Sequence, residues 1–207
     1  MAAPPDPPSD PLPVRAWRRL LDAGAPDWLQ HHARAVAGLT VAFCDAAERQ
    51  GLEPDRALAV AGALLHDLGR TRVQDVRHAS TGAQMLQDDG PDAWDPRLVR
   101  IVDRHTGAGI DAAEAAALHL PVRDYTPKSL EERIVAHADN LFTGDRRLRL
   151  ADLREKYLAK GLGAAWSRIA ALHASLGAEL GADLETLPAQ DVPGIPPAIP
   201  FGPDVLP

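Results

Sequence analysis

From Val14 to Leu180 the apolar residues of this chain recur at intervals of three and four, the period of amphipathic helices. Val14 to Asp22 reads as a short opening helix. Pro26-Asp27 begins a second, with Pro at a favoured first-turn position. It runs to about Gln50 and places Trp28, Leu29, Val36, Leu39 and Phe43 on one face. A third helix begins near Pro54 and ends at Gly69. Ser80 to Asp88, Asp95 to Arg104 and Asp111 to Leu118 are shorter helices, and Gly107 and Gly109 mark the turn between the last two. Ser129 to Phe142 is another, opened by Ser129 three residues before Glu132 as a capping box. A long amphipathic helix over about Leu150 to Leu180 closes the unit. Strand signals are nearly absent, so the pattern predicts an all-α fold.

The pattern stops at both ends. Residues 1–13 and the segment LPAQDVPGIPPAIPFGPDVLP (Leu187 to Pro207) are too rich in Pro to sustain helix or central strand. They are expected as extended tails around one domain over residues 14–186. The second tail is expected to lie across the domain through Ile195, Ile199, Phe201 and Leu206. No internal repeat is present.

Composition narrows the picture. The 207 residues suffice for one domain with a sizeable core, and 45% hydrophobic content with only 4% aromatics suits close-packed helices. A net charge of -7 and a pI near 5.6 argue against general nucleic-acid binding, whose footprint is basic. The single Cys44, in the run LTVAFCDA, excludes an intramolecular disulfide and reads as a small core residue. The start, MAAPPDPPSDPLPV, lacks the apolar stretch of a signal peptide. The longest apolar run, Ala57 to Leu65, is far shorter than the roughly 20 residues that span a bilayer. The expectation is a soluble, cytoplasmic protein that does not enter a membrane.

Six polar residues in apolar surroundings carry the candidate chemistry: His32, His66, Asp67, His78, His105 and Asp139. In GALLHDLGR (Gly62 to Arg70) an apolar helix ends on adjacent His and Asp, and an Asp at a helix C-terminus is electrostatically misplaced unless something satisfies it. Side chains of sequence neighbours there diverge by about 100°. The carboxylate of Asp67 can therefore bridge two metals while the imidazole of His66 binds one. His32 lies on the apolar face of its helix, with Val36 at i+4 and Leu39 at i+7; His31 points elsewhere. His78 opens a helix and His105 closes one, and the two would complete a second metal's shell. Asp139 sits mid-helix beside Ile134, Val135 and Leu141 and needs a partner. His137, two positions earlier, is read as an outer contact or a surface residue, and His119 and His173 as surface or packing residues. Imidazole with carboxylate suits a divalent transition metal, and such a metal makes a nucleophile from water at neutral pH.

Anion-binding candidates stand nearby: Arg70, Arg72, Arg77, Arg104, Lys128 and Arg133, with Thr106 next to His105. Arg70 and Arg77 flank the ligands on turns, and the guanidinium fork suits phosphoryl oxygens.

The ordered series, with the fragments GALLHDLGRTRVQDVRHASTGAQML, DRHTGAGI and EERIVAHADNL, resembles the HD superfamily of metal-dependent phosphohydrolases over about Pro26 to Phe142. The fragments are most similar to a group of small stand-alone HD proteins, mainly archaeal. The resemblance implies an all-helical bundle around a central metal site. His32, His66, Asp67 and Asp139 would hold one metal, and His78 and His105 a second, with Asp67 between them. The ions would be Mn, Fe, Co or Ni. HDLGR stands where many members read His-Asp-Ile-Gly-Lys, so Arg70 would replace a Lys near the phosphate. The Gly-Tyr-Pro signature of cyclic dinucleotide phosphodiesterases is missing.

The expected activity is hydrolysis of a nucleotide or related phosphoester: a cyclic phosphodiester, a phosphomonoester or a phosphoanhydride. Asp67 and Arg70 are the candidate catalytic residues; Arg70, Arg77, Thr106 and Lys128 are the candidate substrate contacts. Cyclic 2′,3′-phosphates and dinucleoside polyphosphates are natural first substrates, because HD relatives handle both. The alternative is a di-iron oxygenase, since some HD proteins use the same ligand series to activate oxygen. A metal-holding regulatory module without turnover is a third reading.

Overall fold

In the structure, a computed structural model that describes residues 10–197, the periodic segments become nine α-helices and one small hairpin among the described residues. They are α1 (Leu12–Asp22), α2 (Asp27–Arg49), α3 (Arg56–Leu65), α4 (His78–Asp88), α5 (Pro96–Arg104), α6 (Ala112–Ala117), α7 (Leu130–Asn140), α8 (Leu150–Ala159) and α9 (Gly163–Leu180), with β1 (Phe142–Thr143) antiparallel to β2 (Arg146–Arg147). The fold is all-α.

Short polar side chains start several helices by accepting an otherwise unpaired backbone N–H. Asp55 accepts from Leu58 N at 3.1 Å, Asp95 from Arg97 N at 2.7 Å and Asp111 from Glu114 N at 2.8 Å. Ser129 accepts from Glu132 N at 3.2 Å, but Glu132 does not reach back to Ser129. Its carboxylate takes Lys128 N at 2.7 Å and Arg104 at 3.0 Å.

Helix α3 is the centre of the bundle. Every residue from Leu58 to Leu65 is buried, and it packs against α1, α2, α5 and α7. Its Ala and Gly residues let four neighbours approach closely, as the Ala-rich, aromatic-poor composition leads one to expect. Cys44 is buried in the same core, and burial pushes its thiol up to about 12. No described helix is long and apolar enough to cross a membrane.

Three boundaries differ from the sequence expectation. The third helix stops at Leu65 and continues as a 3-10 turn over Leu68–Thr71. The helix from Ser129 ends at Asn140, and Phe142 enters the hairpin. The expected single helix over Leu150 to Leu180 is two, because Gly161 adopts a left-handed φ of +71° and turns the chain between α8 and α9. That break lets α8 pack against α9.

Residues 187–197 contain no helix, yet they are packed. Val192 and Ile195 are buried in the main core, and Gln190 N donates to Gly38 O on α2 at 3.0 Å. A Cβ on Gly38 would lie 2.5 Å from Gln190 O, so this contact requires glycine. Ile199, Phe201 and Leu206, expected to extend the same packing, lie outside the described residues, as do residues 1–9.

Candidate metal centre

The bundle brings all six candidate ligands to one place from five elements. His32 comes from α2, His66 caps the end of α3 and Asp67 follows it. His78 opens α4, His105 caps α5 and Asp139 lies on α7. Gly69 is needed for this convergence. A Cβ there would lie 2.0 Å from His78 O and 2.6 Å from Gly82 N, so the turn after Asp67 rests directly on the backbone of α4.

Each histidine is oriented by a backbone carbonyl. Nδ1 of His32 lies 2.6 Å from Gly144 O at the hairpin, and Nδ1 of His66 lies 2.7 Å from Ala63 O. Nδ1 of His78 lies 2.7 Å from Asp75 O, and Nδ1 of His105 lies 2.7 Å from Val102 O. A carbonyl oxygen only accepts, so Nδ1 carries the proton in all four rings. The Nε2 lone pair of each neutral ring is then directed inward.

Those lone pairs meet. His32 Nε2 is 3.1 Å from His66 Nε2 and 3.0 Å from Asp139 Oδ1, and His66 Nε2 is 3.5 Å from the same oxygen. His78 Nε2 is 3.0 Å from His105 Nε2. Asp67 stands between the two sets. Its Oδ2 is 3.6 Å from both His32 Nε2 and His66 Nε2, while its Oδ1 is 3.1 Å from His78 Nε2 and 3.5 Å from His105 Nε2. Neutral acceptors facing one another at such distances repel unless a cation lies among them. Donors about 2.1 Å from one ion at right angles are about 3.0 Å apart, which matches these separations. Asp67 Oδ1 is buried without a hydrogen-bond donor, because neither Nε2 beside it has a proton to give. The His32, His66, Asp139 group and the His66, Asp67, His105 group could each hold a metal ion.

Electrostatics at the site are dominated by burial and by the carboxylates. Burial alone would raise Asp67, but the imidazoles of His66, His105, His78 and His32 around it favour its charged form more strongly and hold Asp67 well below the usual carboxylate range. Asp139 is lowered in the same way, against burial, by His66 and His32. Burial pulls His32 down, yet the bond and charge of Asp139 leave it raised; His105, with less compensation, stays lowered.

A cavity of about 390 Å³ opens over His32, Asp67, His78, His105 and Asp139; His66 lies fully buried beneath. Arg70 and Thr106 also line it. Arg70 Nε donates to Asp67 Oδ2 at 2.7 Å, and its Nη2 lies 3.3 Å from His78 Nε2. Thr106 Oγ1 is buried without a partner.

Other sequence candidates are placed elsewhere. Arg77 is exposed and clamps its near neighbour Asp75 through Nε at 2.9 Å, and Lys128 pairs with Asp124 at 2.9 Å; neither lines the cavity. Arg104 and Arg133 are taken by Glu132 and Glu179. His137 is neither an outer contact of the ligands nor a surface residue. It is fully buried, stacked on Phe43, with Nε2 2.9 Å from His173 Nδ1.

The structure also adds residues that the sequence reading passed over. Trp28, Asn140, Phe142, Lys156 and Tyr157 line the cavity. Asn140 Nδ2 donates to Gly107 O at 2.8 Å and ties α7 to the turn after His105. For α8 a signal was present: Leu153, Lys156 and Tyr157 stand at i, i+3 and i+4 and share one helix face.

A family model described as the HD domain matches residues 29–144. A tRNA (cytidine(56)-2′-O)-methyltransferase of Thermoplasma volcanium is 46% identical over 164 residues, covering 79% of this chain and 46% of that protein. An uncharacterised protein of Methanocaldococcus jannaschii is 42% identical over 126 residues, covering 61% of this chain and 73% of that protein. The chain spans about half the length of the methyltransferase relatives it matches. Among solved structures, the HD domain of the L. monocytogenes phosphodiesterase PgpH is 17% identical with a TM-score of 0.45, covering 80% of this chain and 97% of that one.

Proposed function

We propose that this chain, which belongs to the HD-domain family, is a metal-dependent phosphohydrolase that cleaves a nucleotide or related phosphoester. One observation supports this above the others. Four imidazoles, each anchored through Nδ1, and two carboxylates turn their free lone pairs toward two adjacent points, with one oxygen of Asp67 directed to each. On this reading His32, His66, Asp139 and Asp67 hold one ion, and Asp67, His78 and His105 a second. Divalent Mn, Fe, Co or Ni fits the mixed imidazole and carboxylate set.

Such ions supply Lewis acidity and a deprotonated water at neutral pH. The chain's own groups do the rest. Asp67 fixes the distance between the two ligand sets. Arg70, held by Asp67 at the cavity wall, donates to phosphoryl oxygens as their charge grows in the transition state. Thr106, whose hydroxyl lacks a partner, stands beside the same wall. A cavity of about 390 Å³ falls within the range for small-molecule sites, roughly 300–1,000 Å³. Trp28 and Phe142 give it an apolar side for a base or sugar.

The methyltransferase relatives are about twice as long as the matched segment. In them we read the shared half as this same hydrolytic centre, joined in one chain to a tRNA-modifying activity. The test is a panel of about one hundred phosphate compounds offered to metal-reconstituted protein, with and without oxygen. Release of phosphate or nucleotide under anaerobic conditions supports the reading. Turnover that requires oxygen, with no phosphoester cleaved, would hand the site to the di-iron oxygenase. Methyl transfer to tRNA without any hydrolysis would also overturn it.

A further inference from the structure

The inner face of α8 closes one side of the cavity. Leu153, Lys156 and Tyr157 all line it, one helical turn apart. Residues 150–159 lie beyond residues 29–144, the segment that the family model matches. Tyr157 secures it: a Cβ on Gly107 would stand 3.7 Å from the phenol oxygen, which places α8 against the turn that follows His105. Burial and the charge of Asp139 raise the phenol's pKa, so it remains a hydrogen-bond donor.

Lys156 is the unexplained member. It is exposed to solvent and at the same time lines the cavity. Among the described residues, the carboxylate whose charge reaches it is Asp139, which His32 and His66 already engage. Partial burial, and then the like charges of Lys160 and Arg146, push its pKa down. An ammonium on the wall of this cavity, with the like charges of Lys160 and Arg146 acting on it, is stabilised by an anion in the cavity. On the phosphohydrolase reading the ligand cluster engages the phosphate that reacts, and Lys156 is not a member of that cluster.

We propose that Lys156, on the cavity wall, forms an anion subsite that holds a second, non-reacting phosphate of the substrate. This rests on the phosphohydrolase reading of the metal centre and narrows it. The preferred substrate is a nucleotide with at least one phosphate beyond the one attacked, rather than a simple phosphomonoester. Lys156 here is a specificity residue: it binds the part of the substrate that does not change.

The experiment reads binding, not turnover. Manganese-loaded full-length protein is titrated calorimetrically with AMP and with α,β-methylene-ADP, whose bridged phosphates resist cleavage. The wild type should bind the diphosphate analogue roughly tenfold tighter than AMP, the scale of one added charge-assisted contact. Lys156→Gln should lose most of that ratio while its AMP affinity changes less than threefold, and Lys156→Arg should restore it. Lys156 is exposed, so both variants are expected to fold. An intact ratio in Lys156→Gln, or no preference in the wild type, overturns the subsite. A protein with the ratio but no phosphoester turnover keeps the subsite and loses the proposed activity; turnover without the ratio does the reverse.

Discussion

Asp67 Oδ1 lies 3.1 Å from His78 Nε2, and neither atom carries a proton, because the His78 ring holds its proton on Nδ1, which donates to Asp75 O. The same carboxylate turns its other oxygen toward His32 and His66 at 3.6 Å. Asp67 therefore presents one carboxylate oxygen to each half of the cluster. Asp67→Ala should strip most of the bound metal and abolish turnover while leaving helix content unchanged. Elemental analysis together with circular dichroism checks this. A variant that keeps its full metal content would remove the bridging role.

His78 reaches only one of the two halves. It faces His105 at 3.0 Å and Asp67 Oδ1, whereas His32, His66 and Asp139 face one another. His78→Ala should lose about one equivalent of metal and retain the other, since outer ligands contribute to affinity more than to folding. If the wild type itself binds a single ion, His78 and His105 become substrate contacts instead.

How much of this was readable beforehand depends on the range of the interaction. Local rules placed the helices: the three-and-four period, Asp95, Asp111 and Ser129 as starts, and six polar residues in apolar settings. What escaped was set by short-range competition or by distant packing. Arg77 and Lys128 look like phosphate binders in sequence, but Asp75 and Asp124, two and four residues away, capture them at the surface. Gly161 interrupts an amphipathic pattern that continues on both sides, so the α8 to α9 turn was hidden, and with it the position of Lys156. The carbonyl of Gly144 that orients His32 comes from 112 residues away and leaves no trace in composition.

The segment after Leu187 packs on α2 but supplies no described residue to the metal cavity. Truncation there should leave kcat nearly intact and lower the melting temperature. Val192 and Ile195 lose their burial, worth about 1.5–3 kcal/mol each when complete. Gly38→Ala should imitate the truncation, because its Cβ would meet Gln190 O at 2.5 Å. A large fall in kcat on truncation would mean that the tail covers the pocket.

His137 predicts a pH dependence of stability away from the metal ligands' own proton competition. Burial and the neighbouring His173 lower it to about 3, against about 6.5 for an unfolded histidine. The unfolded chain therefore binds the extra proton between those values. The stability concerned is fully present above about pH 6.5 and is lost as pH falls toward 3. At pH 5 the loss is about 2 kcal/mol. Denaturant melts with chelator present, at about pH 5 and pH 7.5, should show the wild type losing that much more than His137→Gln. Parallel profiles for the two proteins would show that His137 is not the group responsible.

Arg70 separates the hydrolytic reading from a merely structural one. Its Nε holds Asp67 Oδ2 and its guanidinium lines the cavity, so it touches both the ligand set and the space where a phosphate would sit. It is not itself a metal ligand. Arg70→Ala should therefore leave metal content near the wild-type value and reduce anaerobic phosphoester turnover roughly 10- to 1000-fold, the range for losing one transition-state donor. Arg77→Ala provides the comparison. That side chain is exposed and paired with Asp75, outside the cavity, and its loss should change turnover by less than about twofold. Equal losses in the two variants would mean that general positive charge near the site, not a placed donor, assists the reaction. Loss of metal from Arg70→Ala would instead make Arg70 a support for Asp67 rather than a contact for the substrate.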